Sequence, residues 1–127
     1  MEIYRVIHNG DVIGSSHLEY RDLAMAVAFG RFYPSPAYDT MRPIFRKFTH
    51  AQGDRGQSVD QDELKQYYAA RDALGLKLVS SDGLELATGH IHIVDWEEDD
   101  DLEIEVQVGD HRFWGTVGSG WRGQVLG

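Results

Sequence analysis

The sequence predicts a single α+β domain whose sheet is mainly antiparallel. Segments with the period-two alternation of strands occur at the start of the chain and in its second half, and two segments of helical periodicity lie between them. This grouping favours an antiparallel sheet over a parallel one, in which strands and helices alternate. The 127 residues, 42% of them hydrophobic, suffice for one packed core. We expect the domain to span residues 1–117 and a glycine-rich tail to follow at residues 118–127.

The chain is predicted to open with a hairpin. Asn9-Gly10 is a strong type I′ turn signal between two alternating segments. A two-residue loop there pairs His8 with Asp11 and Val6 with Ile13.

Residues 16–32 allow two interpretations. Ser16-x-x-Glu19 has the spacing of a capping box that opens a helix. Residues 25–30, however, alternate large and small side chains with the period of a strand. We favour the strand.

Two central helices are predicted. The first follows the extended connector at residues 33–36, takes Thr40 as its N-cap with Pro43 in the first turn, and continues to about His50. The second begins at Asp60-x-x-Glu63 and ends before Gly75, a C-terminal stop signal. Each carries an apolar stripe at helical spacing: Met41, Ile44, Phe45 and Phe48 on the first, and Leu64, Tyr67, Arg71 and Leu74 on the second.

The remainder is predicted to be a C-terminal four-strand meander. Residues 76–79 and a strand from Leu84 to Trp96 flank the three-residue loop Ser81–Gly83, and Gly89 suits a bulge. The strand at residues 102–108 alternates apolar and polar residues. Gly109-Asp110 then suggests a turn into a last strand at residues 111–117.

The charge of the chain is concentrated in one third of it. The net charge is −9, yet residues 1–77 hold 10 acidic and 10 basic residues, whereas residues 78–111 hold 11 acidic residues and no Lys or Arg. Such a surface repels nucleic acid and anionic membranes and attracts a basic protein or a cation. We therefore expect a basic protein partner, no nucleic acid and no membrane. The pattern leaves the oligomeric state open.

The absence of cysteine excludes disulfides, thiolate metal sites and a cysteine nucleophile. The first residues lack the basic and apolar regions of a signal peptide. No apolar run approaches the ~20 residues that a membrane span needs. We expect a cytoplasmic protein.

His90 and His92 form the sharpest chemical pattern. Residues that are two positions apart on a strand lie on the same face of the sheet, so both imidazoles share a face. A hairpin between the last strands sets His92 beside Glu105. Two imidazoles and a carboxylate suit zinc or iron. A polar sheet face explains the same pattern, and we favour it, so we expect no cofactor.

The acidic run from Glu97 to Asp101 is the preferred contact surface, together with Trp96. It departs from the EF-hand pattern, because the sixth and twelfth places counted from Asp95 hold Asp100 and Val106 instead of Gly and Glu. Five adjacent carboxylates repel each other, so a cationic partner would relieve them.

Other sites are weaker. The basic stretch Arg42, Arg46, Lys47 and His50 fits a solvated helix face. We find no nucleophile elbow, no P-loop and no assembled catalytic set.

The leading hypothesis is a non-catalytic protein-binding module, an acidic inhibitor or immunity-type protein that covers a basic partner. The alternatives are a small metal-binding domain or metalloenzyme using His90, His92 and Glu105, and a homo-oligomeric assembly subunit.

Overall fold

The computed structural model describes residues 2–51, 61–96 and 101–115. Within these ranges a helical layer packs against one antiparallel sheet, so the α+β fold is confirmed. The strands are β1 (Tyr4–His8), β2 (Asp11–Ser16), β3 (Tyr20–Asp22), β4 (Val27–Pro34), β5 (Lys77–Val79), β6 (Glu85–Leu86), β7 (Thr88–Val94) and β8 (Leu102–Val108). A 3-10 helix (Pro36–Thr40) precedes α1 (Arg42–Ala51) and α2 (Gln61–Ala73), and residues 111–115 are also helical. The predicted tail lies outside the described residues.

The sheet curls until its two edges meet. Its strand order is β6-β5-β1-β2-β4-β8-β7, and β3 pairs with the first half of β4. The end strands β6 and β7 are consecutive in the chain, separated by Ala87 alone. There the Gly109 N–H donates to the Ala87 carbonyl at 2.9 Å, and the Ala87 N–H donates to the Asp110 carboxylate at 3.0 Å. The curl encloses an apolar core that includes Val6, Ile13, Leu78, Ile91, Ile93, Ile104 and Val106.

The N-terminal hairpin has the predicted turn. Asn9 and Gly10 both take positive φ, at 50° and 87°, as a type I′ turn requires. His8 pairs with Asp11 as predicted.

The register changes one step further along the hairpin. A bulge pairs Val6 with Gly14 instead of Ile13, so the predicted Val6–Ile13 pair is wrong. A Cβ at Gly14 would collide with the Phe32 ring. The bulge therefore places a residue without a side chain where the Phe32 ring lies against the backbone.

The strand interpretation of residues 25–32 is confirmed from Val27 onward by β4, whereas Met25 and Ala26 belong to the turn that precedes it. Ser16 caps no helix. Its hydroxyl accepts the Leu18 N–H at 3.0 Å, and the chain then enters the short strand β3. The Glu19 carboxylate accepts the Arg31 N–H at 3.3 Å, so it binds the neighbouring strand and completes no capping box.

Both central helices are present. α1 begins at Arg42, so Pro43 lies in its first turn, as predicted, whereas Thr40 lies one residue before the N-cap position and its hydroxyl donates to the Ala37 carbonyl. The predicted stripe of α1 is buried at Met41, Phe45 and Phe48 and partly buried at Ile44. On α2, Tyr67 is buried and Leu64 is partly buried, and Leu74, directly after the helix, is partly buried too. Gly75, with φ at 61°, follows α2 as predicted.

The second half departs from a continuous meander. The predicted strand from Leu84 to Trp96 is divided at Ala87, because β6 pairs with β5 and β7 pairs with β8 at the opposite end of the sheet. The predicted bulge at Gly89 coincides with the register shift between Thr88 and Ile91. The four strands β5 to β8 thus form two separate antiparallel pairs.

The strand predicted at residues 111–117 is wrong for residues 111–115, which are helical. Asp110 explains the difference, because its carboxylate accepts the Arg112 N–H at 2.9 Å and its carbonyl accepts the Phe113 N–H at 3.1 Å. Phe113 is buried against Tyr4, with ring centroids 5.3 Å apart. The position after Gly109 therefore starts a helical turn that covers one end of the core.

Asp95 joins the helical layer to the end of β7. Its side chain is 0% exposed. The carboxylate accepts the Tyr38 hydroxyl at 2.8 Å, Arg42 at 3.4 Å and Arg46 at 3.3 Å. The Asp95 N–H donates to the Thr49 hydroxyl at 3.2 Å. The solvated helix face predicted for Arg42 and Arg46 is therefore wrong, because both guanidinium groups bind the buried carboxylate.

We predict that Asp95→Asn lowers the free energy of unfolding by about 3 kcal/mol, the low end of the cost of breaking a buried ion pair, because both arginines remain partly exposed. An amide keeps the shape but removes the charge that holds two guanidinium groups. Urea denaturation followed by circular dichroism measures the loss.

Asp101→Asn is the matched control for Asp95→Asn. Asp101 also pairs with an arginine, Arg31 at 2.7 Å, but its side chain is 67% exposed. The control should therefore change stability by less than about 1 kcal/mol. Equal losses in the two variants would contradict the special importance of the buried carboxylate.

Candidate functional site

One outer face of the sheet, on β3, β4, β8 and β7, combines aromatic and acidic side chains. Tyr20 pairs with Phe29, Phe29 with Glu105, and Glu105 with His92, so these four residues form one row across four strands. Because cross-strand partners share a face, all four project away from the curled core. We call this surface the outer face.

An exposed apolar cluster occupies the β3–β4 side of the outer face. Tyr20 is 59% exposed and Phe29 is 42% exposed, yet their rings stack at 5.3 Å with an interplanar angle of 22°. Leu23 and Met25, in the turn between the two strands, are also exposed. Large apolar side chains that cluster on a surface mark contact sites more often than scattered ones do.

An acidic row follows β8 next to this cluster. Glu103 and Glu105 alternate with buried residues of the strand, and Asp101 precedes it. Asp101 pairs with Arg31 at 2.7 Å, and Glu105 lies 3.4 Å from the ring of His90. Within the described part of the chain, no hydrogen bond or ion pair holds the Glu103 carboxylate.

A groove of about 620 Å³ separates the outer face from the helices. Its floor comes from β4, β7 and β8, and its wall comes from α1 and α2. The lining residues are Phe29, Phe48, Tyr68, Arg71, His90, His92, Val94, Glu103, Ile104 and Glu105. This volume lies in the range of ligand-binding clefts.

His92 is the most constrained polar side chain of the groove. It is 9% exposed, and the Phe48 ring meets it edge to face at 4.2 Å. Its Nδ1 atom lies 2.7 Å from the Tyr67 hydroxyl. Burial, and then the positive charge of Arg71 and the nearby His90, lower the pKa of His92 to about 4, so the imidazole is neutral at pH 7.

The Tyr67 hydroxyl decides which nitrogen of His92 carries the proton. Burial raises the pKa of Tyr67 far above its ordinary value, so the phenol keeps its proton. The Arg71 guanidinium, which has only donors, lies 5.8 Å from the centroid of the Tyr67 ring. We therefore assign the Tyr67 proton to a bond toward Nδ1, which leaves the proton of the neutral imidazole on Nε2.

The predicted neighbours His90, His92 and Glu105 do lie together. His92 and Glu105 are cross-strand partners as expected, whereas the bulge at Gly89 brings His90, instead of His92, into contact with the Glu105 carboxylate. We expected both histidines to lie on a polar, solvent-facing side of the sheet. Only His90 does so, because the helices cover His92. Among the residues the structure describes, no three His, Asp or Glu side chains are grouped to hold a metal ion.

The predicted contact surface is only partly described. Glu97, Glu98, Asp99 and Asp100 lie outside the described residues. Trp96 is half-buried at the end of β7, and Asp101 begins the acidic row of β8. The described end of the predicted loop is therefore continuous with the outer face.

The sequence interpretation missed the exposed Tyr20–Phe29 stack and the bond from Tyr67 to His92. The stack had a weak signal, because Tyr20 and Phe29 were aromatic residues in the segment with two interpretations. The bond from α2 to β7 had no signal, because the two residues are 25 positions apart.

No family model, curated protein or solved structure matches this chain. No helix of the described ranges is long and apolar enough to cross a membrane.

We predict that the fold loses stability as the pH falls from about 6.5 to about 4. The folded His92 has a pKa of about 4 and the unfolded residue one near 6.5, so the unfolded state binds more protons in this window. The free energy of unfolding should therefore drop by about 3 kcal/mol between pH 7 and pH 4. Urea denaturation at a series of pH values measures it.

His92→Phe should flatten that part of the pH dependence, whereas His111→Gln, at an exposed histidine, should leave it in place. NMR titration of the ring protons checks the cause directly. A His92 ring that titrates near pH 6.5 in the folded protein would refute it.

Proposed function

We propose that the chain is a non-catalytic protein-binding module, an acidic inhibitor or immunity-type protein that covers a basic partner with its outer face. The observation that carries the proposal is the exposed Tyr20–Phe29 stack beside the acidic row of Asp101, Glu103 and Glu105.

The composition of the outer face supports a protein partner. Contact surfaces are enriched in aromatic residues and methionine at their centre, and a polar rim surrounds that centre. Here Tyr20, Phe29 and Met25 are exposed together, and the carboxylates of Glu19, Asp22 and Glu105 lie around them. Exposed aromatic side chains supply most of the binding energy when a partner buries them.

The charge of the face supports a basic partner. Glu103 and Glu105 lie on β8 and Asp101 directly precedes it, so the three carboxylates repel one another, and Arg31 offsets only part of this charge. A basic surface would relieve the repulsion and would be attracted from a distance. The charge would therefore raise the association rate and select against acidic partners.

We predict that the double variant Tyr20→Ser, Phe29→Ser loses binding to the natural partner. Wild type and variant serve as parallel baits, retained proteins are identified by mass spectrometry, and the protein that distinguishes them is purified for kinetic measurement. The loss should be at least about 30-fold in Kd, since even one buried aromatic anchor contributes about 2 kcal/mol or more. The wild-type association rate should fall steeply with added salt.

Leu84→Ser is the matched control, because Leu84 is an exposed apolar residue on the β5–β6 hairpin, away from the outer face. Asp82→Asn controls for charge in the same hairpin. A partner retained equally by all variants would refute the proposal. Self-association that the double variant abolishes would favour the assembly-subunit alternative instead.

A further inference from the structure

We propose that the turn between β1 and β2 is a site of self-modification, at which the Asn9 side chain loses ammonia by reaction with the Gly10 backbone, assisted by His8. Three features of the turn carry the inference: an unhindered nucleophile, an exposed side-chain amide and an acid beside the leaving group. The reaction needs no partner, so it stands apart from the proposed function.

The nucleophile is the backbone nitrogen of Gly10. Glycine has no side chain to shield this nitrogen, and a Cβ added at Gly10 would meet no atom within 4 Å. Within the described part of the chain, no hydrogen bond engages the Gly10 N–H. The nitrogen and Cγ of Asn9 belong to adjacent residues, so their reaction closes a five-membered ring without bringing distant segments together.

The amide that reacts is exposed at the tip of the hairpin. Asn9 is the only asparagine among the 127 residues, and asparagine is a chemically labile residue. Its Nδ2 atom, which must leave as ammonia, lies 3.4 Å from Nε2 of His8. Histidine exchanges a proton readily near neutral pH, so it can supply the proton that an amide nitrogen needs in order to leave. The pairing of His8 with Asp11 fixes the backbone that carries this imidazole.

Deamidation at this turn takes two steps. The Gly10 nitrogen gives its proton to hydroxide and forms a bond to Cγ of Asn9, while the bond between Cγ and Nδ2 breaks. The His8 imidazolium donates a proton to Nδ2, which departs as ammonia, and the ring regains a proton from water. Water then opens the resulting succinimide at either carbonyl, which gives aspartate or isoaspartate. The steps consume one water molecule and need no oxidant or reductant.

The two products differ in their effect on the hairpin. Aspartate keeps the ordinary backbone and tolerates the positive φ of 50° that Asn9 adopts. Isoaspartate routes the chain through the side-chain carbon and adds a backbone atom between His8 and Asp11, so the two-residue turn no longer fits the pairing. Because β1 lies between β2 and β5, the isoaspartate product weakens the sheet at an inner strand.

Incubation of the folded protein at neutral pH, followed by peptide mass spectrometry and an assay of released ammonia, tests the inference. We expect conversion of Asn9 to a mixture of aspartate and isoaspartate. His8→Gln keeps a polar side chain but removes the acid. It should slow the conversion about tenfold, less than the roughly 100-fold effect of a positioned catalytic acid, because the pair is exposed. His111→Gln, at another exposed histidine, is the matched control and should convert at the wild-type rate.

The same comparison in concentrated urea separates the geometry of the turn from the reactivity of the dipeptide. His8→Gln should change the rate little there, because unfolding releases the imidazole from the amide. Asn9→Gln should release far less ammonia than wild type in either state, since its longer side chain would have to close a six-membered ring.

Three results would contradict the inference. A His8→Gln variant that stays folded by circular dichroism and converts at the wild-type rate would overturn the role of His8. An Asn9 amide that survives in the folded protein while the unfolded chain loses it would overturn the reaction itself. The aged products, separated by ion exchange, should unfold at a lower urea concentration when they contain isoaspartate, and equal midpoints would overturn the effect on the hairpin.

Discussion

The buried Asp95 carboxylate is the constraint on which the arrangement of helices and sheet depends. A carboxylate without contact to water must find charged and hydrogen-bonding partners, because its desolvation is otherwise too costly. Those partners come from the helical layer: the Tyr38 hydroxyl and the guanidinium groups of Arg42 and Arg46. Asp95 follows β7 directly, so α1 has to lie across the end of that strand. Phe48, two turns along α1, then packs against His92 and forms the wall of the groove.

The curl of the sheet supplies the other half of the groove. The Asp110 carboxylate accepts hydrogen bonds from the Arg112 side chain and from the Ala87 N–H, and these bonds, that of Arg112 first, lower the pKa of Asp110 well below its usual range. This contact joins the end of β8 to the junction of β6 and β7. β7 is thereby held between β8 and α2. In this position the Nδ1 atom of His92 meets the Tyr67 hydroxyl, and the ring also lines the groove.

Local signals in the sequence predicted local structure. Asn9-Gly10 and Gly75 take the positive φ values that their turn and helix end require, and the alternation of β8 sets Glu105 opposite His92. Sequence alone could not predict contacts between distant segments. Asp95 looked like part of an acidic loop because the arginines that bury it are 49 and 53 residues away. The segment after Gly109 alternates like a strand, yet the Asp110 side chain caps a helical turn there, since capping depends on side-chain geometry that alternation does not encode.

The state of His92 bears on whether the groove suits catalysis or recognition. A general base works best with a pKa near the working pH, whereas burial and the charge of Arg71 lower the pKa of His92 to about 4. Its Nδ1 already accepts a hydrogen bond from the Tyr67 hydroxyl, and its Nε2 then holds the one proton of the neutral ring, which is not released at ordinary pH because that would form an imidazolate anion. Such an imidazole is a fixed hydrogen-bond donor. A donor that is fixed beside carboxylates and aromatic rings is suited to distinguishing one ligand from another.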